Sequence, residues 1–218
     1  MDNKNFLEDH QVENTSDSSF QLETNRVLNA EVQDRVIAKA GSMVASEGDL
    51  SFTGKMSPES GITGVIKEMT TSESSPVMEI TGDGRAYLAD RGKKVQVLLL
   101  KKGERVTVNG NDVLAFEESV DYNITTMDSI SGMAAGGLVN VDLTGPGMIA
   151  ITTHGDPIIL QPPVKTDPDA TVAWTGNLTP KIDINKSLGD IIGQSSDETY
   201  QLHFSGEAGN VIVQPLER

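Results

Sequence analysis

The stretch Met78-Glu79-Ile80-Thr81-Gly82-Asp83-Gly84 alternates apolar and polar residues and then ends in two glycines. Such alternation predicts a half-buried β-strand, and the glycines predict a tight bend. The pattern returns in Val141-Asp142-Leu143-Thr144-Gly145-Pro146-Gly147 and, more loosely, in Leu202-His203-Phe204-Ser205-Gly206-Glu207-Ala208-Gly209, at nearly equal intervals. We therefore predict that the chain contains three repeats of one β unit. The predicted structural turns are Gly82, Gly84, Gly145, Gly147, Gly206 and Gly209.

The composition favours an all-β fold. Of the 218 residues 4% are aromatic and 21 are glycine, and Val, Ile and Thr cluster in short runs. Short β-rich runs separated by turn residues are typical of strands joined by turns. We predict a mobile acidic tail over residues 1–19 and a single β domain over 20–218. Its three units are placed at about 20–76, 77–137 and 138–218, with the terminal strands completing each other.

A helical period interrupts the strands ahead of each glycine pair. In the clearest case, apolar residues recur at the spacing of one helix face, and weaker versions lie near Ile130 and Leu188. Helices this short are marginal in water unless a partner buries their apolar face. That face is therefore a possible subunit interface, and the sole tryptophan is read as an anchor in the core or at such an interface. The possible interface residues are Ile62, Val65, Ile66, Met69 and Trp174.

The segment Asn109-Gly110-Asn111-Asp112 carries the strongest hairpin signal in the chain. Asn and Gly both adopt positive φ, which a two-residue hairpin turn requires. We therefore predict that residues 105–108 pair with residues 113–116. Two further segments occupy corresponding places in the predicted units, Leu114-Ala115-Phe116 and Val172-Ala173-Trp174, and Val44-Ala45 is the candidate equivalent in the first.

The net charge and the lack of cysteine limit the classes of binding partner and the chemistry that we expect. The net charge of −15 repels nucleic acid and anionic lipid, so neither is expected as a partner. The basic residues between Arg91 and Arg105 are read as solvated strand ends. With no cysteine there is no disulfide or thiol chemistry. Neither a signal peptide nor an apolar run long enough for a membrane span is present, so a cytoplasmic location is expected.

No catalytic, cofactor-binding or metal-binding residue is predicted, and no cofactor. The glycine pair at residues 82 and 84 leads into a strand, whereas a dinucleotide site needs a helix N-terminus after its glycines. The three histidines show no spacing that would bring them together at a metal or a nucleophile. The remaining polar candidates are read as turn capping or surface charge: His154 with Asp156, and Asp167, Asp169 and Asp183.

The order of these motifs resembles the altered inheritance of mitochondria protein twenty-four family. The likeness begins in the segment from Leu28 to Val44, includes Thr81-Gly82-Asp83-Gly84 and Thr144-Gly145-Pro146-Gly147, and ends near Pro215, so it spans about residues 20–216. The family is similar in fold to the tryptophan RNA-binding attenuation protein, a short double-stranded β-helix. The resemblance implies three such units in one chain and homotrimers that close a ring of nine units.

Three functions remain open from the sequence. The leading hypothesis is a non-catalytic cytosolic scaffold or interaction protein that forms a ring-like homo-oligomer and is not an enzyme. The alternative, by analogy with the attenuation protein, is a ring that binds a small amino-acid-like ligand or nucleic acid. A metal-dependent enzyme is the third. Fold analogy alone does not decide among them.

Overall fold

The computed structural model describes residues 11–12, 18–54, 77–127, 138–184 and 200–216. All regular secondary structure in these ranges is β-strand, and every strand pair is antiparallel, so the predicted all-β class is confirmed. The strands are β1 (Phe20–Thr24), β2 (Val27–Val32), β3 (Arg35–Lys39), β4 (Met43–Gly54), β5 (Val77–Leu88), β6 (Lys94–Leu100), β7 (Arg105–Asn109), β8 (Val113–Glu117), β9 (Asp121–Met127), β10 (Leu138–Thr144), β11 (Gly147–Thr153), β12 (Ile158–Leu160), β13 (Val164–Thr166), β14 (Thr171–Thr175), β15 (Lys181–Ile184), β16 (Tyr200–Phe204) and β17 (Val211–Val213).

The described strands form three antiparallel sheets. The largest has eight strands in the order β1-β2-β5-β3-β8-β11-β6, with β4 also paired to β5. Its two ends approach each other, because Val95 N in β6 donates to Asn25 O in the β1–β2 turn at 2.9 Å. The second sheet runs β12-β17-β14-β7-β10-β9, and the third runs β13-β16-β15. The large sheet is therefore a nearly closed, barrel-like layer.

The first predicted glycine turn is a bend inside one long strand. The part of β5 before the bend pairs with β3, the part after it pairs with β2, and β4 runs along both. Gly82 has φ +119, and a Cβ there would overlap the carbonyl oxygen of Asp49 on β4. Glycine therefore lets β4 and β5 stay paired through the bend. The second pair, Gly145 and Gly147, lies where β10 meets β11, and the third, Gly206 and Gly209, lies between β16 and β17.

The described residues do not test the predicted short helices. None of the described residues is helical, and the three stretches on which the helices were placed, including Ile62, Val65, Ile66 and Met69, lie outside the described residues. Most of the predicted tail, residues 1–19, lies outside them as well. The sheets contain eight, six and three strands, so the sheet layout by itself does not divide the chain into three like units.

The predicted hairpin at Asn109-Gly110 is wrong. Asp112 N does donate to Asn109 O across the turn, at 2.8 Å. However, β7 pairs with β10 and β14 in the six-stranded sheet, whereas β8 pairs with β3 and β11 in the eight-stranded sheet. The turn is a corner between two sheets. Local turn chemistry predicts where the chain reverses, but the neighbours of each strand depend on which face is buried.

Three clusters of buried apolar side chains hold the sheets together. The first lies among β2, β5 and β8, with Leu28, Ile80 and Leu114 fully buried, and the second lies between the two larger sheets. The third contains Trp174, which is 4% exposed and has its ring centroid 5.4 Å from that of Phe204. Trp174 is thus a core residue of this chain, with almost no surface left for a partner.

Candidate functional site

The first half of β4 is an exposed strand in a position where two other strands are buried. Residues 43–49 are all exposed, on both faces of the strand. In contrast, the first four residues of β8 and of β14 are all buried. The three strands have like sequences, yet Val44 is 60% exposed while Leu114 and Val172 are 0% exposed. Within the described residues, β8 and β14 are thus covered by neighbouring strands in a way that this half of β4 is not.

The difference in burial follows from the sheet order. β8 lies between β11 and β3, and β14 lies between β17 and β7, so each has a strand on both sides. Within the described ranges, β4 pairs with β5 alone. At the other end of the chain β13 pairs with β16 alone, although β3 and β7 each have two partners. In the described ranges β4 and β13 are therefore edge strands, as β1, β6, β9, β12 and β15 also are.

A polar cleft of about 410 Å³ lies where several strand ends and turns meet. It is formed by the end of β3, the β5–β6 and β7–β8 turns, and the segments that follow β11, β13 and β17. Strand ends carry the polar residues that the alternating strands exclude from the core. The lining residues are Lys39, Asp90, Arg91, Lys93, Asn109, Asn111, Asp112, His154, Asp169, Gln214 and Leu216.

Two lysines and two aspartates form a buried ion-pair network at the floor of the cleft. Lys39 Nζ lies 2.8 Å from Asp90 Oδ2. Lys93 Nζ lies 2.7 Å from Asp112 Oδ1 and 3.3 Å from Asp90 Oδ2. Both ammonium groups also donate to the carbonyl oxygen of Asn111. Because buried charges are costly unless paired, the network ties β3 and two turns together at one point.

The two carboxyl groups of the network respond differently to burial. Burial alone would raise the pKa of Asp90, but the hydrogen bond and charge of Lys39, together with the charge of Lys93, outweigh it and lower that pKa. Burial also raises the pKa of Asp112, and there the nearby Lys93 does not outweigh it. Asp90 is thus the better stabilised anion of the two, because it accepts from both lysines.

Arg91 and His154 also line the cleft, and the charge of His154 acts to lower the pKa of Asp112 against the effect of burial. Arg91 has φ +46 and is exposed, and it lies in the turn closed by a 2.9 Å hydrogen bond from Lys93 N to Asp90 O. His154 is half-buried, and its backbone N–H donates to Gln214 Oε1 at 2.8 Å. That bond anchors the residue, while the imidazole lines the cleft. The rim therefore presents nitrogen donors to the solvent side.

The polar candidates from the sequence lie at scattered places. Asp156 pairs with Lys94, at 2.6 Å, rather than with His154. Asp167 accepts from the backbone N–H groups of Asp169 and Ala170, so it caps its own turn. The hydrogen bond and charge of Lys165 lower the pKa of the exposed Asp183. These carboxylates do not converge on one point.

Most of the basic stretch is exposed, as expected of solvated strand ends, and Lys93 is the main departure. Lys93 is half-buried in the cleft network, whereas Arg105 is exposed and pairs with Asp142 at 2.7 Å. Sequence reasoning missed the network formed by Lys39, Asp90, Lys93 and Asp112. The available signals were a lysine directly after the apolar core of β3 and the Asp-Arg-Gly-Lys turn at residues 90–93.

Neither a metal cluster nor a membrane-crossing helix is found among the residues described. In those ranges no three His, Asp or Glu side chains are grouped as ligands of one ion would be. No described helix is long and apolar enough to cross a bilayer.

Comparison with known proteins identifies a family and a fold. A family model described as mitochondrial biogenesis AIM24 matches residues 20–216. No curated protein is similar enough to count as a match. One similar solved structure is a protein from Streptococcus pyogenes, with a TM-score of 0.66 and 22% identity over 91% of this chain and 92% of that one. At that identity the likeness shows the fold alone.

Proposed function

The chain belongs to the mitochondrial biogenesis AIM24 family, and from this premise we propose that it is a non-catalytic scaffold whose copies assemble edge to edge into a ring-like homo-oligomer. One observation carries the proposal: Val44 on β4 is 60% exposed, whereas Leu114 and Val172, in like positions, are fully buried. The expected cytoplasmic location, and the absence of a nucleic-acid partner expected from the net charge of −15, remain part of this proposal.

The proposal rests on three like units of the double-stranded β-helix type, covering residues 27–88, 94–153 and 158–213. In each, the first strand pairs with the strand that follows a glycine pair, as β2–β5, β6–β11 and β12–β17. The second pairs with the strand before the glycines, as β3–β5, β7–β10 and β13–β16. These bounds differ from those predicted from the sequence, because the strands after each glycine pair belong with the strands before it.

Details of the pairing support the same three units. Each has a one-residue bulge just before an alanine: Val44 before Ala45, Leu114 before Ala115, and Val172 before Ala173. A bulge is a specific feature that chance would rarely repeat at like positions. Equivalent backbone hydrogen bonds also recur, from Ala89, Thr152 and Gln214 to the carbonyls of Ser42, Asp112 and Ala170.

Neighbouring units are joined by one type of strand contact. β3 pairs with β8 between the first and second units, and β7 pairs with β14 between the second and third. The next contact of this type is β13 with β4, and in the described ranges these two strands do not pair within one chain. We therefore assign it to β13 of one copy and β4 of the next. Such a head-to-tail contact closes into a ring when the rotation allows it.

The internal contacts also set the register of the contact between copies. Ile37 lies opposite Phe116 on β8, and Thr107 lies opposite Trp174 on β14. The bulge alignment makes Ser46 equivalent to Phe116 and Trp174, and the strand alignment makes Lys165 equivalent to Ile37 and Thr107. Lys165 of one copy thus faces Ser46 of the next. Backbone hydrogen bonds and burial of Val44 supply the affinity.

Disulfide cross-linking tests this register directly, because the wild-type chain has no cysteine. Ser46→Cys and Lys165→Cys are combined in one chain, oxidised and run on a denaturing gel. Residues directly opposite on paired antiparallel strands come close enough for a disulfide. We expect oligomers joined by disulfides.

The matched control is Ser51→Cys with Lys165→Cys. Ser51 is exposed on the same strand but lies five residues further along, roughly 17 Å from the expected partner. It should not cross-link. A disulfide formed within single chains, or none at all, would contradict the proposal.

A second test measures the mass of the assembly in solution. Val44→Lys places a charge at the centre of the proposed contact and should yield monomers by light scattering, whereas wild type should give three copies. Leu99→Lys is the control, since Leu99 is 67% exposed on β6 and lies outside the contact. If both variants keep the wild-type mass, the β4 edge is not the interface.

A further inference from the structure

We propose that the polar cleft binds a small anionic ligand, one that carries a carboxylate or phosphate group, through Arg91, Asn111 and His154. This site is separate from the proposed β4–β13 contact, so it does not depend on assembly.

The backbone at Arg91 is in a conformation that arginine rarely adopts. Its φ of +46 is followed by a φ of +77 at Gly92, so both central residues of the turn are left-handed. Asn, Asp and Gly are the residues suited to such a position, because other side chains crowd the following carbonyl. A strained residue that points into a cleft is a reason to ask what its side chain does there.

The unused donors all face the same cleft. Within the part of the chain that the structure describes, the side chains of Arg91, Asn111 and His154 make no hydrogen bond or ion pair, and all three line the cleft. Guanidinium, amide and imidazole groups each offer N–H donors. The guanidinium also presents two parallel donors that match the two oxygens of a carboxylate or phosphate. The three groups therefore suit an oxyanion.

The pairing of charges in the cleft, rather than its net charge, favours an anion over a cation. Asp90 and Asp112, which would attract a cation, are already paired with Lys39 and Lys93. Arg91 adds a positive charge outside that network, so that the lining carries three positive and three negative side chains in all. Asp169 contributes one further carboxylate to the lining, which favours a ligand with a single anionic group over a polyanion. The volume of about 410 Å³ suits a small metabolite.

The test is a titration of the full-length protein with inorganic phosphate and, separately, with acetate. The side-chain amide signals of Asn111 are followed by NMR, and we expect them to shift and saturate with one of the two anions. Saturation by phosphate alone assigns a phosphate-bearing ligand, and saturation by acetate alone assigns a carboxylate. Absence of saturable binding by both anions would overturn the proposal.

Two variants distinguish binding at this site from non-specific electrostatic attraction of the anion to the protein. Arg91→Gly removes the guanidinium and relieves the left-handed backbone, so we expect at least tenfold weaker binding and no loss of thermal stability. Lys102→Ala removes one positive charge outside the cleft and should bind as wild type does. Equal weakening in both variants would refute the site. Arg91→Gly should keep the oligomeric mass, so failure of this test and failure of the assembly test are distinguishable.

Discussion

Asp90→Asn and Asp112→Asn remove the same charge from the same buried network, yet we expect them to change the free energy of unfolding by different amounts. Asp90 Oδ2 lies 2.8 Å from Lys39 Nζ and 3.3 Å from Lys93 Nζ, whereas the Asp112 carboxylate forms its ion pair with Lys93, at 2.7 Å. Asparagine keeps the shape and one acceptor oxygen. The comparison of the two variants therefore isolates the contribution of each negative charge to the free energy of unfolding.

The expected magnitudes follow from these distances. At an effective dielectric constant of about 20, the attractions of Asp90 to its two lysines are about 6 and about 5 kcal/mol before the cost of desolvation. Breaking a buried ion pair costs about 3 to 5 kcal/mol, because the remaining charge stays buried. We expect about that loss in Asp90→Asn. For Asp112 burial outweighs the attraction of Lys93, so we expect a loss of about 1 kcal/mol or less.

The two groups also have opposite pH dependence. The folded pKa of Asp90 is lowered, so its stabilisation is complete above its ordinary value of about 3.8 and is lost as the pH falls through the lower folded value. The folded pKa of Asp112 is raised, so its ionisation costs stability as the pH rises from about 3.8 through the folded value. The difference between wild type and Asp90→Asn should therefore shrink in strong acid.

The assay is urea unfolding at neutral pH and at a series of acid values, with m-values compared among variants. Asp156→Asn is the control, because it removes the same charge from a pair in which Asp156 is 83% exposed, and it should change the midpoint little. The reasoning is refuted if Asp112→Asn costs as much as Asp90→Asn at neutral pH, or if Asp90→Asn costs less than about 1 kcal/mol.

Two further predictions concern the bend and the core. Gly82→Ala should lower the free energy of unfolding by about 3 kcal/mol, because φ +119 is strained and the new Cβ overlaps Asp49 O, whereas Gly103→Ala, with φ +80 and open space, should cost about 1 kcal/mol. Equal urea midpoints for these variants would contradict the role given to β4. Trp174→Ala should cost about 3 to 5 kcal/mol, since the ring is buried against Phe204. In wild type the emission of this sole tryptophan should shift to the red on unfolding, and a folded protein that already emits like exposed tryptophan would disprove its burial.

Several features of the fold were readable from residue order alone. The alternation in Met78-Glu79-Ile80-Thr81 predicts a strand with one buried face, and Ile80 is fully buried in β5. The glycines at residues 82 and 84 predict a departure from regular strand geometry, and the chain bends there. Both are local properties, because period and φ preference depend only on a residue and its near neighbours. Family membership follows from the order of such motifs.

Other features depended on which segments meet in space. Asn109-Gly110 predicted a chain reversal, but β7 and β8 enter different sheets, since β7 pairs with β10 and β14 whereas β8 pairs with β3 and β11. The network of Lys39, Asp90, Lys93 and Asp112 could not be read from any single segment of the sequence. Its members come from three separate segments that meet only in the folded chain.

The like sequences of β4, β8 and β14 suggest like roles, but only the tertiary structure leaves β4 uncovered. An alternating pattern specifies which side chains a strand must bury, and that information is present in the residues themselves. It does not specify what will cover them. The covering strand is chosen by long-range packing, so Leu114 and Val172 are buried within the chain while Val44 is left exposed.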